Sequence, residues 1–198
     1  MKYDYIEIGT SCFDYICGKT PNMIGISVEP VGLYLDMLPD VGGNIKVQAA
    51  ISDRDGECEI YYIHPDIIRE LKLPNYVKGC NSIDKQHPTI KKLLGDRYSE
   101  VCTVERVECI TWLTFVGRYN VSDVDIVKID TEGHDYNILT GVYKGCEALQ
   151  LFPKIINFEY NTLSNKGDME AIIAKFVKCG YVGERRGKSD FKLEYGQV

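Results

Sequence analysis

Four side chains in the second half of the chain have the chemistry of proton acceptors or metal ligands. Asp130, Glu132 and His134 lie within one short turn sequence, and Glu159 follows further along the chain. A carboxylate or an imidazole can remove the proton of a hydroxyl group as that group attacks a substrate. The carboxylates of Asp130 and Glu159, together with Glu132, would also provide the hard oxygen ligands that suit Mg²⁺ or Mn²⁺. The alternative is that Asp130 only caps the next helix and that Glu132 is a solvated turn residue.

Two buried strands are predicted to carry these acids. The sequence VDIVKI runs directly into Asp130, and KIINF runs directly into Glu159. Short runs rich in β-branched residues are typical of strands that are buried on both faces of a parallel sheet. Ligands of open α/β sheets bind at the carboxyl ends of the strands, and adjacent strands lie about 4.8 Å apart. Asp130 and Glu159 are therefore expected to reach one small volume.

The first strand and its turn are candidates for half of a nucleotide site. A strand is predicted over Lys2–Gly9, and the turn over Thr10–Asp14 includes Phe13. A glycine at the end of the first strand lets the backbone approach a ligand closely. Only Gly9 remains of the pattern G-x-G-x-x-G, because Ser11 and Asp14 occupy the later positions. The motif alone equally predicts an ordinary tight turn between a strand and a helix.

The second predicted strand supplies a more specific signal. It covers residues 22–28 and ends in Glu29 and Pro30. An acidic residue about 20 positions past the glycine turn can accept hydrogen bonds from both ribose hydroxyls of a nucleotide. Pro30 is placed to open the following helix. The alternative role for Glu29 is that of a partner for the dipole of this helix.

A third strand is predicted over Ile45–Ile51. Ser52 and Asp53 follow at its carboxyl end, where an adenine could lie against Ala50 and Ile51. These four residues complete the predicted nucleotide site.

The region of about 57–110 is predicted to be an insertion in the nucleotide-binding sheet. Asp55-Gly56 is a hairpin signal that would join the third strand to an added strand over Glu57–Ile63. Residues 64–100 are irregular, which is typical of binding loops and lids. His64 and His87 lie here and are expected at the surface. The elements predicted after the added strand are short helices over Asp66–Leu71 and Thr89–Leu94 and a strand over Glu100–Cys109.

The order of elements predicts an α/β fold with a Rossmann-like, doubly wound and mostly parallel sheet. Two strands over Tyr181–Arg186 and Asp190–Tyr195 are predicted to close it as a C-terminal antiparallel hairpin. The strands that end at Gly9, Asp130 and Glu159 should be neighbours at the topological switch point. Residues 1–198 are predicted to be a single domain. A first strand that begins almost at residue 1 suggests a minimal domain or one excised from a longer multidomain chain.

Composition excludes several classes of partner. The formal net charge of −6 argues against nucleic acid and acidic membrane surfaces. No apolar run is long enough to span a bilayer, and no signal peptide is recognisable. None of the eight cysteines forms a C-x-x-C pair, so no zinc site is predicted and the thiols are expected to be reduced. We therefore expect a cytoplasmic protein that does not insert into membranes.

Five segments together resemble FkbM-type class I S-adenosylmethionine-dependent methyltransferases. They are YIEIGT (5–10), SVEP (27–30), AISDRDG (50–56), VDIVKIDTEGHD (124–135) and INFE (156–159). The resemblance implies a class I methyltransferase fold, methylation of hydroxyls on sugars and other natural products, and fusion to other glycan-synthesis domains. It also implies S-adenosylmethionine as cofactor, held by Glu7, Gly9, Thr10, Ser11, Phe13, Asp14, Glu29, Pro30, Ala50, Ile51, Ser52, Asp53 and Asp130.

The residues agree with hydroxyl methylation, which needs in-line alignment of the reactants and removal of a proton. We favour Asp130 as base or metal ligand, with His134 as the second candidate base. The acceptor, a small molecule or glycan with free hydroxyls, should lie over the carboxyl ends of the strands that precede Asp130 and Glu159, with residues 64–100 as one wall. Aromatic platforms for a sugar ring, each equally explained by core packing, are Tyr61, Tyr62, Trp112 and Tyr160.

Other functions remain open at the level of sequence. The acceptor could be a natural product without a sugar. Methylation of nucleobase amino groups is disfavoured, because no N/D-P-P-Y/F sequence follows the strand before Asp130. A nicotinamide-dependent oxidoreductase would share Gly9 and Glu29 but needs a fuller glycine pattern. A non-catalytic domain that binds a glycan or a partner chain would keep the fold without needing the acids.

Overall fold

The computed structural model describes residues 1–11 and 15–196 of the 198-residue chain. Its strands are β1 (Lys2–Ile8), β2 (Gly25–Val28), β3 (Asn44–Val47), β4 (Ala50–Ser52), β5 (Gly56–Ile63), β6 (Ser82–Ile83), β7 (Cys102–Thr111), β8 (Asp123–Ile129), β9 (Ile155–Glu159), β10 (Tyr181–Arg186) and β11 (Asp190–Tyr195). Its α-helices are α1 (Ile16–Lys19), α2 (Gly32–Asp36), α3 (Pro65–Glu70), α4 (Pro88–Leu94), α5 (Tyr98–Val101), α6 (Trp112–Arg118), α7 (Asp135–Leu149) and α8 (Lys166–Lys178).

The main sheet has seven strands in the order β10-β11-β9-β8-β1-β2-β3. Strands β3, β2, β1, β8 and β9 are parallel, and β11 is antiparallel to both β9 and β10. The predicted fold class is confirmed: a mixed α/β fold with a mostly parallel sheet and C-terminal antiparallel strands, consistent with a class I methyltransferase. The neighbouring positions of β1, β8 and β9 bring their carboxyl ends to one place.

Apolar residues on both faces explain why the central strands lie inside. All four residues of β2 are buried, and β1 is buried from Tyr5 to Ile8. Helices α7 and α8 pack against one face of the sheet through residues such as Leu139 and Phe176, which have no exposed surface. The short apolar runs of the sequence were therefore correct indicators of central parallel strands.

Trp112 lies in the core. Its side chain is 1% exposed, and its ring stacks on Phe115. Glycines on α7 make the room, because a Cβ at Gly141 would lie 2.9 Å from Cβ of Trp112 and one at Gly145 would lie 2.7 Å from its Nε1. Of the two roles open to Trp112, core packing is the one that the structure shows.

The predicted third strand is wrong as a single element. Residues 44–52 form two strands that belong to different sheets: β3 pairs with β2, whereas β4 pairs with β7. The apolar residues continue through Val47, Ala49 and Ile51, all of which are buried. Because these buried apolar residues follow one another at every second position across both strands, the pattern of the sequence does not mark the change of sheet.

The predicted hairpin at Asp55-Gly56 is also wrong. Strand β5 pairs with β7 in the antiparallel direction, and β7 separates it from β4 in a second sheet of order β4-β7-β5-β6. The Asp55 carboxylate accepts hydrogen bonds from the amide of Thr111, at 2.7 Å, and from the hydroxyl of Thr114, at 2.8 Å. The turn therefore fixes the junction of β7 and α6.

The region predicted as an insertion contributes β5, β6, β7 and the helices α3, α4 and α5. The helices α3 and α4 agree with the prediction to within one residue at most ends. Ile68 of α3 and Ile90 of α4 form a cluster with Ile63, Val77 and Tyr98. The irregular segment therefore has a small hydrophobic core of its own. Among the described residues, no helix has the combination of length and apolar character needed to cross a bilayer.

Candidate active site

A cavity opens where the carboxyl ends of β1, β2 and β8 and the first residues of β4 meet the inserted segment. The main sheet and β4 contribute predicted cofactor residues to its lining. The inserted segment contributes Gly79, Asn81, Ser82 and Ile83. The predicted cofactor residues in its lining are Gly9, Ser11, Glu29, Pro30, Ala50, Ile51 and Asp130. Ser52 and Asp53 line an adjacent cavity beside α7. Phe13 and Asp14 lie outside the described residues.

Gly9 is required where the strands converge. Its φ is +80°, and a Cβ at this position would lie 2.0 Å from the carbonyl oxygen of Asp130. Its amide donates a hydrogen bond to the carbonyl of Val28 at 2.9 Å, and the amide of Asp130 donates to that of Ile8 at 3.0 Å. The ends of β1, β2 and β8 are thus tied together by backbone contacts that leave no room for a side chain.

Glu29 is a buried acceptor at the end of β2. It is 2% exposed, and its two oxygens accept hydrogen bonds from the amides of Ser11, at 2.7 Å, and Val31, at 3.0 Å. Burial raises the pKa of Glu29 to about 7, although the two amides act in the opposite direction. An ionised carboxylate has about four acceptor positions. Glu29 therefore keeps capacity for hydroxyl donors from a ligand in the cavity.

Glu7 and Thr10 lie beneath the Gly9 turn. Glu7 is fully buried, and it accepts hydrogen bonds from the amide of Ile16, at 2.8 Å, and from Nζ of Lys128, at 3.0 Å. It thereby connects the start of α1 to β8. Thr10 is 1% exposed. Neither residue lines the cavity, although both were predicted to hold the cofactor.

Asp130, Glu132 and Glu159 form an acidic cluster at one side of the cavity. One carboxylate oxygen from each lies within 4.8 Å of the other two. Burial, followed by the charges of Glu132 and Asp130, raises the pKa of Glu159 to about 8. A neutral Glu159 beside a charged Asp130 would pair a hydrogen-bond donor with a proton acceptor. The same three acids could hold a divalent cation.

Asp135 positions this cluster from within the protein. It is fully buried, and its oxygens accept hydrogen bonds from the Thr131 hydroxyl, at 3.0 Å, and from the Glu159 amide, at 3.2 Å. Burial raises the pKa of Asp135 to about 7. The sequence placed Asp135 only in the first turn of a helix. Its link to β9 was missed, because a contact between the start of α7 and a strand that lies far along the chain leaves no local signal.

Replacement of Asp135 by alanine is expected to lower the free energy of unfolding by about 2–4 kcal/mol, since two buried donors would lose their acceptor. Urea denaturation at a pH near 6 would measure the loss. Asp96→Ala, which removes an exposed carboxylate, serves as the control and should change stability by less than about 0.5 kcal/mol. An equally small loss of stability for Asp135→Ala would show that Asp135 does not tie the acidic turn to β9.

His134 connects the acidic turn to β4. Its Nε2 lies 2.8 Å from the hydroxyl of Ser52, and Asn137 lies close to both ring nitrogens. Burial lowers the pKa of His134, which makes the neutral, proton-accepting form dominant at neutral pH. Its position in the cavity lining keeps it available as a second base.

His87 is buried, which corrects the expectation that it lies at the surface. It is 1% exposed, and its Nε2 lies 3.1 Å from Oε2 of Glu132. His87 is the N-cap of α4, whose residue Ile90 packs into the cluster of the insertion and so turns the cap inward. Glu132 has a φ of +51°. A cap residue lies outside the helical periodicity, which is why the sequence gave no sign of this contact.

The inserted segment is attached to the site at a second point. The Ser11 hydroxyl donates a hydrogen bond to the carbonyl of Lys78 at 3.2 Å. Together with the contact between His87 and Glu132, this hydrogen bond holds the inserted segment against both the glycine turn and the acidic turn. His64 instead accepts a hydrogen bond from the amide of Asp66 at the start of α3. The segment predicted as a wall of the site therefore lines the cavity.

Comparison with known protein families gives a match over most of the chain. A model of the methyltransferase FkbM domain matches residues 5–182. Neither the curated proteins nor the solved structures include a significant match. The matched range contains the glycine turn, Glu29 and the acidic cluster.

Proposed function

The chain belongs to the FkbM methyltransferase family, and we propose that it transfers a methyl group from S-adenosylmethionine to a hydroxyl oxygen of a sugar or glycan. The observation that carries this proposal is the acidic cluster of Asp130, Glu132 and Glu159 beside a cavity that contains Glu29. A hydroxyl is a weak nucleophile until its proton is being removed. Carboxylates at the edge of a nucleotide cavity fit that requirement.

The residues of the cavity fit the cofactor that the family uses. Gly9, Ser11 and Asp130 line the cavity at the ends of β1 and β8, and Glu29 offers acceptors for the ribose hydroxyls. Ala50 and Ile51, which line the same cavity as Glu29, would bind the adenine. S-adenosylmethionine supplies an activated methyl group on a sulfonium sulfur. The protein has to orient the acceptor and remove its proton.

The pKa of Glu29 leads to a prediction for the binding of S-adenosylhomocysteine. The hydroxyls of its ribose should favour the ionised carboxylate, and with a pKa of about 7 that form falls to about a tenth near pH 6. Because the folded-state pKa is raised, affinity should rise with pH through 7, by about tenfold between pH 6 and pH 8. Isothermal titration calorimetry would measure this change. The same affinity at both pH values would show that the charge of Glu29 is not used.

Asp130 is the residue that we assign to proton removal. It is exposed at the end of β8 and lines the cavity. Glu159, with its raised pKa, would stay protonated and donate a hydrogen bond within the cluster. His134 is the alternative base because its lowered pKa keeps it neutral. This assignment needs only groups that the chain itself provides.

The metal alternative gives Asp130 and Glu159, with Glu132, the role of ligands for Mg²⁺ or Mn²⁺. Under our assignment, addition of either ion to protein freed of divalent cations should leave turnover unchanged. Methyl transfer measured by mass spectrometry, with and without each ion, tests this expectation. A loss of turnover on chelation that Mg²⁺ or Mn²⁺ alone restores would make these acids ligands instead.

Two arguments support a sugar or glycan as the acceptor. The site has several carboxylates, which can accept hydrogen bonds from the hydroxyls of a polyol, and the resemblance to the family implies methylation of such hydroxyls. A non-sugar natural product remains the second candidate. Residues 79–83 of the insertion would form one wall of the acceptor site. Tyr160, which is 8% exposed, directly follows Glu159 of the acidic cluster in the sequence. A panel of sugars and glycans, compared with amines of similar size, tests the class. A gain of one methyl on the amines alone would contradict hydroxyl methylation.

Competing functions are separated by ligand and by turnover. S-adenosylhomocysteine at about 100 times its dissociation constant should add about 2.7 kcal/mol of stability in a thermal-shift assay. NAD should add none, and the reverse result would favour a nicotinamide-dependent oxidoreductase. Turnover on any hydroxylated acceptor would exclude a non-catalytic glycan-binding domain.

We also propose a cytoplasmic location and no nucleic-acid partner. The net charge of −6 disfavours a polyanion. The described cysteines are free thiols, most of them buried, which suits a reducing compartment.

A further inference from the structure

A second cluster of metal-ligand types lies beneath the acidic turn. A single ligand atom from each of Cys80, His87 and Glu132 lies within 4.8 Å of the other two. Cys80 follows a 3₁₀ turn over Asn75–Lys78, His87 caps α4, and Glu132 belongs to the turn after β8. We propose that these three residues bind one cation of the zinc class. The site goes beyond methyl transfer and uses two residues that have no part in it.

The chemistry of the three donors selects the ion. A thiolate, an imidazole and a carboxylate are the ligand types of zinc, whereas Mg²⁺ and Ca²⁺ prefer oxygen ligands alone. Zinc binds these atoms at about 2.0–2.3 Å, so ligands on one ion lie roughly 3–4 Å apart. Nε2 of His87 and Oε2 of Glu132 already lie 3.1 Å apart. Three protein ligands leave one tetrahedral position for water.

Burial gives an independent reason to place a ligand here. Cys80 is 9% exposed and His87 is 1% exposed. Nε2 is the ring atom that faces Glu132, so an ion shared with this carboxylate would be bound by Nε2, with the ring proton on Nδ1. Two ligands with so little exposed surface would hold the ion away from bulk water.

Electrostatics and anchoring support the same site. Glu132 also belongs to the acidic cluster, so its charge lies beside those of two other carboxyl groups. A bound cation would offset this crowding of negative charge. The backbone around the ligands is already held, since the Cys80 amide donates to Val77 at 3.2 Å and the Lys91 amide donates to His87 at 2.9 Å. The ion would fasten the insertion to the acidic turn.

Metal titration of the purified full-length chain tests the proposal without any assay of activity. Metal-free protein should bind one Zn²⁺ per chain, and Co²⁺ should give a thiolate-to-cobalt charge-transfer band. Residues that only support a ligand typically contribute 10–100-fold to affinity. Loss of a direct ligand in Cys80→Ser or His87→Gln should therefore weaken Zn²⁺ binding by at least about 100-fold. The band should be absent in Cys80→Ser.

Cys102→Ser is the matched control, because Cys102 is a half-buried cysteine on β7 outside the cluster. It should keep both the band and the Zn²⁺ affinity. The proposal is overturned if the wild type binds no stoichiometric Zn²⁺, or if the band survives in Cys80→Ser. Should Cys80→Ser fail to fold, X-ray absorption of the zinc-loaded wild type decides: a sulfur at about 2.3 Å supports the site, and its absence overturns it.

Calorimetry with S-adenosylhomocysteine on the same preparations separates this proposal from methyl transfer. Binding of S-adenosylhomocysteine without binding of Zn²⁺ would reject the metal site alone. Binding of Zn²⁺ by a protein that ignores S-adenosylhomocysteine would reject the proposed function and keep the metal site.

Discussion

Asp130→Asn is expected to reduce turnover by about 10²–10⁴-fold, the usual contribution of acid–base catalysis. The amide keeps the shape of the side chain but cannot take the proton of the acceptor. Asp130 is exposed at the end of β8, so the substitution should cost little stability. The affinity for S-adenosylhomocysteine should remain close to that of the wild type. Initial rates at saturating S-adenosylmethionine, together with calorimetry, measure both quantities.

Asp123→Asn is the control for this prediction. Asp123 begins the same strand, at its opposite end, and makes an exposed ion pair with Lys2. Its substitution should leave turnover unchanged. Normal turnover in Asp130→Asn together with its loss in His134→Ala would identify His134 as the base.

Glu29→Ala is expected to weaken the binding of S-adenosylhomocysteine by about 10–100-fold. A charge-assisted hydrogen bond typically contributes about 1.5–3 kcal/mol, and each 1.4 kcal/mol is about tenfold in affinity. Glu29 also binds the amides of Ser11 and Val31, so the loss includes some disorder of the two loops. Glu29→Gln retains an acceptor for one of these amides and should still bind the cofactor more weakly than the wild type.

Glu57→Ala, which removes an exposed carboxylate of β5, is the matched control. Its dissociation constant should equal that of the wild type. Unchanged affinity in a folded Glu29→Ala protein would show that the end of β2 does not hold the ribose.

The main sheet could be predicted because its signals are local. Short apolar runs that end in Gly9, Glu29, Asp130 or Glu159 identify strands, and a right-handed parallel sheet then fixes which ends meet. This reasoning predicts that Asp130 lies close to Glu159. The oxygens of these two acids do lie in one cluster. Their chemical roles remain predictions.

The second sheet was not predicted, because the pairing of its strands is not local. The sequence suggested that β4 and β5 would form a hairpin, but both pair with β7, which follows the whole irregular segment. The bonds from Asp55 to Thr111 and Thr114 that hold this arrangement join residues far apart in the chain. A short-range turn motif carries no information about such a partner.

The same limit applies to two residues of the site. Asp135 reaches the amide of Glu159, and His87 reaches the carboxylate of Glu132, through contacts that depend on the finished fold. Pro88 marks the start of α4, but it does not indicate which way the cap residue His87 faces. The packing of Ile90 turns this cap toward the acidic turn. The positioning contacts of Asp135 and His87 were therefore not predicted from the sequence. Residues at the ends of recognisable strands, such as Asp130 and Glu159, were predicted to lie in the site.

Transfer of a trideuterated methyl group from labelled S-adenosylmethionine to a panel of glycans tests the central claim most directly. Mass spectrometry with fragmentation should find one labelled methyl on a sugar oxygen, with at least about a hundredfold less product from Asp130→Asn. Label on nitrogen, or equal product from wild type and Asp130→Asn, would contradict the account. So would the absence of labelled product from a protein that binds S-adenosylhomocysteine.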